Sequence, residues 1–240
     1  MATAQTDKGG SIGRQVDRCY LEERFQRKPG VNADIATTNA VATTAITNPD
    51  FEVLGVNHST TDVTFSDGGG IKCQTDGASA DAIIITPHLD TDQTGWATTK
   101  WNTNDEVGWG AVLDTGSNIA SIVVFAGLKL TNDHTVATDA NQVYFRYADS
   151  GNWKFTFSVG GTDTEFDTLL GGVASTQYKL ELRINSDRRA IGTINGVGGF
   201  VSDALTANTD LIPYIGVVAN TAAAKDITIR RTWISKKYAD

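Results

Sequence analysis

The sequence predicts an all-β protein, built as an antiparallel two-sheet sandwich of jelly-roll type. Apolar and polar residues alternate with a period of two over most of the chain after residue 50. Turn signals separate these alternating runs. The composition favours strands and tight turns, because the 240 residues include 32 Thr and 24 Gly but only 4 Pro. Many short strands joined by short turns are typical of two-sheet sandwiches.

The alternating runs predict about ten to twelve strands and no helix between residues 50 and 240. In residues 153–159 and 178–184, every second side chain is apolar, which predicts strands with one buried face. Residues 122–130 are nearly continuously apolar, as in a strand covered on both faces. Pro213 interrupts a similar run over 211–218, and because proline cannot donate to a ladder it predicts a strand start or an edge there.

Short polar segments mark the turns between these strands. Asn195-Gly196 is a strong hairpin signal, since both residues tolerate the left-handed backbone of the favoured two-residue turns. Residues 67–70 and 149–152 carry similar signals. We therefore expect consecutive strands to pair as antiparallel hairpins.

The first 49 residues differ from the rest of the chain and are predicted to be an extended N-terminal arm, with the sandwich covering 50–240. Residues 16–25 are compatible with a short amphipathic helix, and residues 32–48 have little apolar surface to bury. An arm of this kind is expected to lie on another subunit. Its candidate anchors are apolar at Tyr20, Leu21 and Phe25 and basic at Arg24 and Arg27.

The net charge of −8 is distributed unevenly. Residues 1–30 carry +2 and residues 225–240 carry +3, whereas residues 31–224 carry −13. One interpretation is that the acidic body keeps the protein soluble. The other is that the basic ends dock on an acidic partner surface. The acidic balance argues against a protein that binds nucleic-acid duplexes.

The sequence shows no membrane or export signal. No stretch approaches the ~18 consecutive apolar residues of a membrane span. The first residues lack a basic segment followed by an apolar one, so we expect synthesis in the cytoplasm without a signal peptide. Two cysteines, Cys19 and Cys73, do not make a disulfide framework.

Side chains that could perform catalysis or bind a metal are not grouped in any familiar motif. His58, His88 and His134 are far apart in sequence, and neither cysteine has a histidine or aspartate motif beside it. A nucleophile elbow and a phosphate-binding loop are also missing from the sequence. The sequence therefore predicts no catalytic residue, no metal and no cofactor.

Tryptophans and carboxylates occur together between residues 96 and 114. Trp96 and Trp101 are candidates for stacking on a sugar ring, and Asp105 and Glu106 follow them closely. Adjacent strand residues point to opposite faces, so this acidic pair is not expected to flank one glycosidic bond. Core tryptophans beside turn acids are the simpler interpretation. On this basis the chain is predicted not to be an enzyme.

A second acidic group consists of Asp163, Glu165 and Asp167, which alternate with threonines. Carboxylates on one face of a strand or loop can bind Ca²⁺ through their oxygens. The alternative is a solvated edge strand whose like charges discourage pairing with another edge.

The C-terminal half resembles a known family in residues 178–188, 192–196, 204–217 and 227–235, and residues 51–56, 83–90 and 125–133 fit the same pattern. These phrases are similar to concanavalin A-like (LamG-type) jelly-roll domains, and more narrowly to those in structural proteins of tailed phages. The resemblance covers roughly residues 50–238. The Glu-x-Asp-x-x-Glu signature of glucanases in this fold is missing around Asp105 and Asp114, and lectin-type metal ligands are not matched. No catalytic or metal residue is therefore carried over.

The resemblance implies a virion structural protein on the capsid exterior. A capsid decoration (cement) protein would bind the major capsid protein through its N-terminal arm and stabilise the head, and by analogy it would form a homotrimer. The alternative is a tail-fibre or receptor-binding module that recognises host glycan, with an exposed Trp96 or Trp101 as the stacking platform. In both cases its partners are proteins or glycans rather than nucleic acid or membrane.

Overall fold

The computed structural model describes residues 18–31, 50–59, 61–88, 94–131, 139–149 and 151–238. Nearly all of the regular structure in these residues is strand, and α1 is a single turn of helix. In chain order the elements are β1 Arg18–Glu23, β2 Gly30–Val31, β3 Phe51–Val56, β4 Val63–Phe65, β5 Ile71–Gln74, β6 Ala82–Pro87, α1 Gly95–Thr98, β7 Trp101–Asn102, β8 Gly108–Thr115, β9 Ile122–Lys129, β10 Gln142–Ala148, β11 Asn152–Val159, β12 Thr162–Gly171, β13 Gln177–Ile184, β14 Arg189–Ile194, β15 Val197–Ala204, β16 Asp210–Ala219 and β17 Asp226–Lys237.

The strands form two sheets that pack face to face. The eight-stranded sheet has the order β15-β14-β13-β8-β17-β5-β4, and β1 pairs with β17 beside this path. The nine-stranded sheet has the order β12-β11-β10-β9-β16-β6-β3-β2, and β7 pairs with β16. Within the described ranges the pairings are antiparallel, apart from the short parallel contact between β2 and β3. The predicted jelly-roll sandwich is therefore confirmed.

The period-two patterns decide which side chains fill the space between the sheets. In β11, Trp153, Phe155 and Phe157 are buried, and in β13 Tyr178 and Leu180 are buried opposite them. Aromatic rings meet across the core, with a Trp153–Tyr178 centroid distance of 5.1 Å. The alternate residues of the same strands face outward, so the pattern that builds the core also defines the outer faces of both sheets.

The turns follow the predicted chemistry. Asn195 and Gly196 have φ values of 53° and 75°, as the two-residue turn between β14 and β15 requires.

Pro213 lies inside β16 rather than at its start, which differs from the prediction. The proline is tolerated because the pairing of β16 with β6 begins only at Ile215, so no ladder bond to β6 is lost at this position.

Two predictions about the N-terminal region are wrong. Residues 18–23 form strand β1 rather than part of a helix, and β1 pairs along its whole length with β17. The reason is tertiary, because Cys19 and Leu21 pack against the core while Arg18 and Tyr20 face outward, which is strand periodicity. Residues 18–31 therefore belong to the sandwich and not to a separate arm. The parts of the predicted arm at 1–17 and 32–49 lie outside the described residues.

The predicted absence of helix after residue 50 also needs a small correction, since α1 forms where Thr94 caps the chain by accepting a hydrogen bond from the Ala97 amide. The strands beyond residue 50 number fifteen in the described ranges, more than the ten to twelve expected, and two of them, β4 and β7, are only three and two residues long. No helix within the described residues has the length and apolarity that a membrane crossing would need.

Candidate functional site

A cleft lies on the outer face of the eight-stranded sheet. It has a volume of about 860 Å³ and crosses the central strands and β1. Its lining residues are Arg18, Tyr20, Glu106, Gly108, Trp109, Glu181, Leu182, Arg183, Ile191, Thr193, Trp233, Ser235 and Lys237. We refer to this surface as the sheet cleft.

The strand register places the lining side chains in rows across the sheet. In one row, Ser235 of β17 lies opposite both Tyr20 of β1 and Gly108 of β8, and Gly108 lies opposite Arg183 of β13. The row continues through Ile191 of β14. These residues come from both ends and the middle of the chain, so only the sheet order brings them together.

A second row runs parallel to the first, two residues further along each strand. Trp233 of β17 lies opposite both Glu22 of β1 and Gly110 of β8, and Gly110 lies opposite Glu181 of β13. Thr193 of β14 follows Glu181. The two rows together supply aromatic, acidic, basic and hydroxyl groups to the sheet cleft.

Two glycines on β8 shape the sheet cleft, since Gly108 lines it directly and Gly110 lies under the Trp233 ring that lines it. A Cβ atom at Gly110 would lie 2.1 Å from Cζ2 of Trp233, so the indole rests directly on the backbone of β8. Two cations flank this indole, since the Arg231 guanidinium carbon and the Lys179 ammonium lie 5.0 and 5.8 Å from the ring centroid. Cation–π contacts of this kind fix an aromatic ring in place.

Tyr20 stands at the β1 side of the cleft and is 55% exposed. Its hydroxyl donates a 3.0 Å hydrogen bond to Oε2 of Glu22. Partial burial and then this carboxylate raise the pKa of Tyr20, so the phenol is neutral and can donate at neutral pH. Partial burial alone would raise the pKa of Glu22, but hydrogen bonds from Arg24 and Tyr20 outweigh it and the pKa of Glu22 is lowered.

The carboxylates that line the sheet cleft are paired with lysines. Glu106 lies 3.9 Å from Nζ of Lys237, and Glu181 lies 2.8 Å from Nζ of Lys179. Glu106 also has a left-handed backbone, with φ of 49°, and its carbonyl oxygen accepts a 2.7 Å hydrogen bond from Arg18. Strain in a non-glycine residue is often found at functional sites. Asp105, its neighbour, binds a different lysine, Lys236, at 3.0 Å.

The predicted glycan-stacking residues do not reach this surface. Trp96 and Trp101 are 6% and 2% exposed and belong to the core, where Trp96 packs edge-on against Phe51 at 4.8 Å. The prediction of an exposed stacking platform at these residues is therefore wrong. Their neighbourhood is rich in turns, which suggested exposure, but both indoles fill the space between the sheets.

The predicted arm anchors are divided between the core and the surface. Phe25 is 1% exposed and packs on Phe51 at 5.2 Å, so it anchors the chain to its own core. Leu21 is partly buried against the same core. Arg24 is held by Glu22 at 2.7 Å, Arg27 is exposed, and Tyr20 lines the sheet cleft.

The acidic group on β12 is part of a charged edge strand. Asp167 lies 2.7 Å from Lys154, and Glu165 lies 3.4 Å from Arg146. The Lys154 hydrogen bond, with those from the Leu169 amide and Asn152, lowers the pKa of Asp167 to about 2. Over the described ranges, no group of three or more His, Cys, Asp or Glu residues is placed to hold a metal ion.

Sequence reasoning missed most of the sheet cleft. Alternation predicts only that Glu181 and Arg183 lie on the solvent-exposed face of a strand, and it assigns no role to Trp233, Gly108 or Gly110. A signal was present in the alternation of β8, where Gly108 and Gly110 interrupt an otherwise ordinary strand. Close approach by another group is one reason for glycine inside a strand.

Comparison with known proteins supplies a fold rather than a family. No family model and no curated protein matches this chain. A protein of unknown function from Shewanella oneidensis MR-1 shares the fold with a TM-score of 0.62 and 11% identity, covering 98% of this chain and 100% of that one.

Two enzymes also share the fold. A β-glucanase from Bacillus licheniformis matches with a TM-score of 0.56 and 7% identity, covering 92% of this chain and 98% of its own. A family 7 alginate lyase, solved with a bound product, matches with a TM-score of 0.51 and 16% identity, covering 75% and 82%. Identities this low establish the architecture alone.

These neighbours contradict the prediction that the chain is not an enzyme, since enzymes that act on polysaccharides have the same architecture. The missing Glu-x-Asp-x-x-Glu signature was too narrow a criterion, because one fold supports several chemistries with different residues. The concanavalin A-like jelly roll itself is confirmed. The capsid-decoration role, the capsid and homotrimer partners and the virion location stay predictions.

Proposed function

We propose that this chain binds a polysaccharide in the sheet cleft. The observation that carries the proposal is the pairing of two aromatic side chains, Tyr20 and Trp233, with a glycine floor in a cleft of about 860 Å³. Binding sites for small molecules and glycans combine apolar aromatic surface with a few polar groups that fix orientation. Rings with a polar tip suit partly wet sites of this kind.

The polar groups of the sheet cleft match the hydroxyl groups of sugars. Glu181 accepts hydrogen bonds, Arg183 donates them, and Thr193 and Ser235 do both. The row through Gly108 crosses β1, β17, β8, β13 and β14. With neighbouring strands about 4.8 Å apart, five strands span about 19 Å between the outer two, which suits an extended oligosaccharide better than a single sugar.

The fold gives independent support of a general kind. The glucanase and the alginate lyase that share it carry names that refer to polysaccharides. Glycan binding also agrees with the alternative function predicted from the sequence, a lectin-like module that recognises host glycan, although the residues proposed here are different ones.

A binding panel tests the proposal. The full chain is titrated with neutral and acidic polysaccharides by affinity electrophoresis and calorimetry, beside Trp233→Ala and Tyr20→Ala. We expect at least tenfold weaker binding for Trp233→Ala, since loss of a well-packed aromatic contact typically costs 2 kcal/mol or more. Phe65→Ala is the matched control, because Phe65 is 53% exposed on β4 and lies outside the sheet cleft. Equal binding by all variants, or no binding to any glycan, would refute the proposal.

Turnover is measured with the same polysaccharides. New reducing ends would report hydrolysis, and unsaturated sugar ends would report elimination. Glu106 and Glu181 are the carboxylates that face the sheet cleft, so Glu106→Gln and Glu181→Gln are the variants to compare. Hydrolysis of a glycosidic bond requires two carboxyl groups within about 5 to 10 Å of each other.

A further inference from the structure

Gly108 lies beneath a gap between basic side chains in the sheet cleft. A Cβ at Gly108 would lie 3.1 Å from Oγ of Ser235 and 4.0 Å from Nη2 of Arg18. Arg183 is the cross-strand partner of Gly108 on β13, and its side chain also lines the cleft. Two guanidinium-bearing residues and a hydroxyl group therefore surround a position where β8 has no side chain.

The positive charge at this position is not neutralised by the neighbouring carboxylates. Within the described ranges, the Arg18 side chain donates to two neutral oxygens, the Glu106 carbonyl at 2.7 Å and Ser235 Oγ at 3.3 Å. Among the described residues, the side chain of Arg183 makes neither a hydrogen bond nor an ion pair. The two carboxylates of the cleft are instead close to Lys237 and Lys179. A chain of net charge −8 thus leaves uncompensated positive charge in its cleft.

We infer that the sheet cleft selects an acidic glycan and that Arg183 and Arg18 bind its oxyanion above Gly108. This inference rests on the proposed function and names its substrate class, a polysaccharide that carries carboxylate or sulfate groups. Guanidinium presents a planar fork of N–H donors that matches either oxyanion. The Ser235 hydroxyl supplies a further donor, and because its Oγ lies 3.1 Å from the position of a Cβ at Gly108, a side chain at that position would crowd it.

A purely structural role accounts for Arg18 but not for Arg183. Arg18 links β1 to the Glu106 turn and to β17, so its replacement is also expected to loosen β1. Arg183 is exposed and holds no other element in place within the described structure. Its replacement therefore separates ligand recognition from folding.

The experiment compares three glycans and five proteins, beside the Trp233→Ala variant of the binding panel described for the proposed function. The glycans are a polyuronate, the same polymer with its carboxyl groups reduced to neutral hydroxymethyl groups, and a sulfated polysaccharide. The proteins are the unchanged chain, Arg183→Gln, Arg183→Lys, Arg18→Gln and the matched control Arg27→Gln, which removes an exposed arginine outside the sheet cleft. Thermal unfolding verifies that each variant keeps its fold.

We expect the unchanged chain to bind an acidic glycan more tightly than the reduced polymer. Arg183→Gln should weaken that binding about 10- to 100-fold, the loss typical of one charge-assisted contact, and leave binding of the reduced polymer unchanged. Arg183→Lys should retain part of the affinity for the acidic glycan, and Arg27→Gln should retain all of it. Added salt should weaken binding of the acidic glycan but not of the reduced polymer. Preference for the polyuronate or for the sulfated polymer identifies the anion.

Equal binding of acidic and neutral polymers, unchanged by Arg183→Gln but lost in Trp233→Ala, overturns this inference and leaves the proposed function standing. Absence of binding to every glycan overturns both.

Discussion

Replacing Gly110 with alanine tests the link between the floor of the sheet cleft and its central aromatic side chain. The added Cβ would lie 2.1 Å from Cζ2, 2.5 Å from Cε2 and 2.7 Å from Cη2 of Trp233. Carbon atoms in contact are normally about 3.5 to 4.0 Å apart. The indole must therefore rise by about 1.5 Å or leave its rotamer. Gly110 does not have a positive φ, so alanine fits the backbone itself and the effect is confined to the ring.

The expected cost of Gly110→Ala is about 1–3 kcal/mol, the range for inserting a methyl group into a packed site. For a chain of this size each kcal/mol lowers Tm by about 2–4 °C. We also expect a change in tryptophan fluorescence and loss of glycan binding, since Arg231 and Lys179 would no longer flank the ring.

The control is Gly171→Ala on β12, where the nearest atom to the added Cβ is Oδ1 of Asn152 at an ordinary 3.8 Å. Calorimetry and fluorescence are recorded for both variants. An unchanged Tm and an unchanged tryptophan spectrum in Gly110→Ala would show that the indole does not rest on β8, and the reasoning about the cleft floor would fail.

Three further predictions concern stability. Phe25→Ala should lower the free energy of unfolding by about 3–5 kcal/mol in denaturant, because Phe25 is buried against Phe51. A loss below 1 kcal/mol would indicate that Phe25 is exposed and would contradict its place in the core. Burial raises the pKa of Tyr144 from 10.0 to about 12. The contribution of its neutral phenol to the free energy of unfolding is therefore intact below pH 10 and is lost as pH rises toward 12. That contribution amounts to roughly 2–3 kcal/mol, and Tyr144→Phe should flatten the alkaline loss of stability in a pH series of unfolding curves. The lowered pKa of Asp167, about 2 against an ordinary 3.8, means that its stabilising contact with Lys154 is present above pH 3.8 and disappears as pH falls through 2. An NMR titration of the Asp167 carboxyl that gives an ordinary pKa would contradict this, as would an unchanged titration in Lys154→Gln.

The class of the fold follows from local sequence patterns. Strand β13 illustrates the reason, since Tyr178, Leu180 and Leu182 alternate with charged residues and a period of two has one structural solution, a strand with one buried face. The Asn195-Gly196 turn was equally local, because the preference of these residues for a positive φ does not depend on the rest of the chain.

Other features depended on contacts between residues far apart in sequence. The apolar and polar residues of 18–23 are too few to distinguish a helical period from a strand period. These residues form a strand because β17 pairs with them along their whole length. Trp96 and Trp101 are buried because the sheets close over them, which their local sequence does not specify. The local preference of so short a segment for helix or strand is weak, and tertiary packing overrides it.

The sheet cleft depended most on tertiary structure. Its lining comes from β1, β8, β13, β14 and β17, and the sheet order that places these strands side by side is set by crossovers in a jelly roll rather than by neighbouring sequence. The period of β13 places Arg183 on the outer face. Trp233 faces outward because an irregularity between Ile229 and Arg231 shifts the alternation of β17 by one residue. That Arg183 and Trp233 lie beside Arg18, Tyr20 and the glycines of β8 depends on tertiary structure, because the register between strands fixes which outward-facing side chains meet.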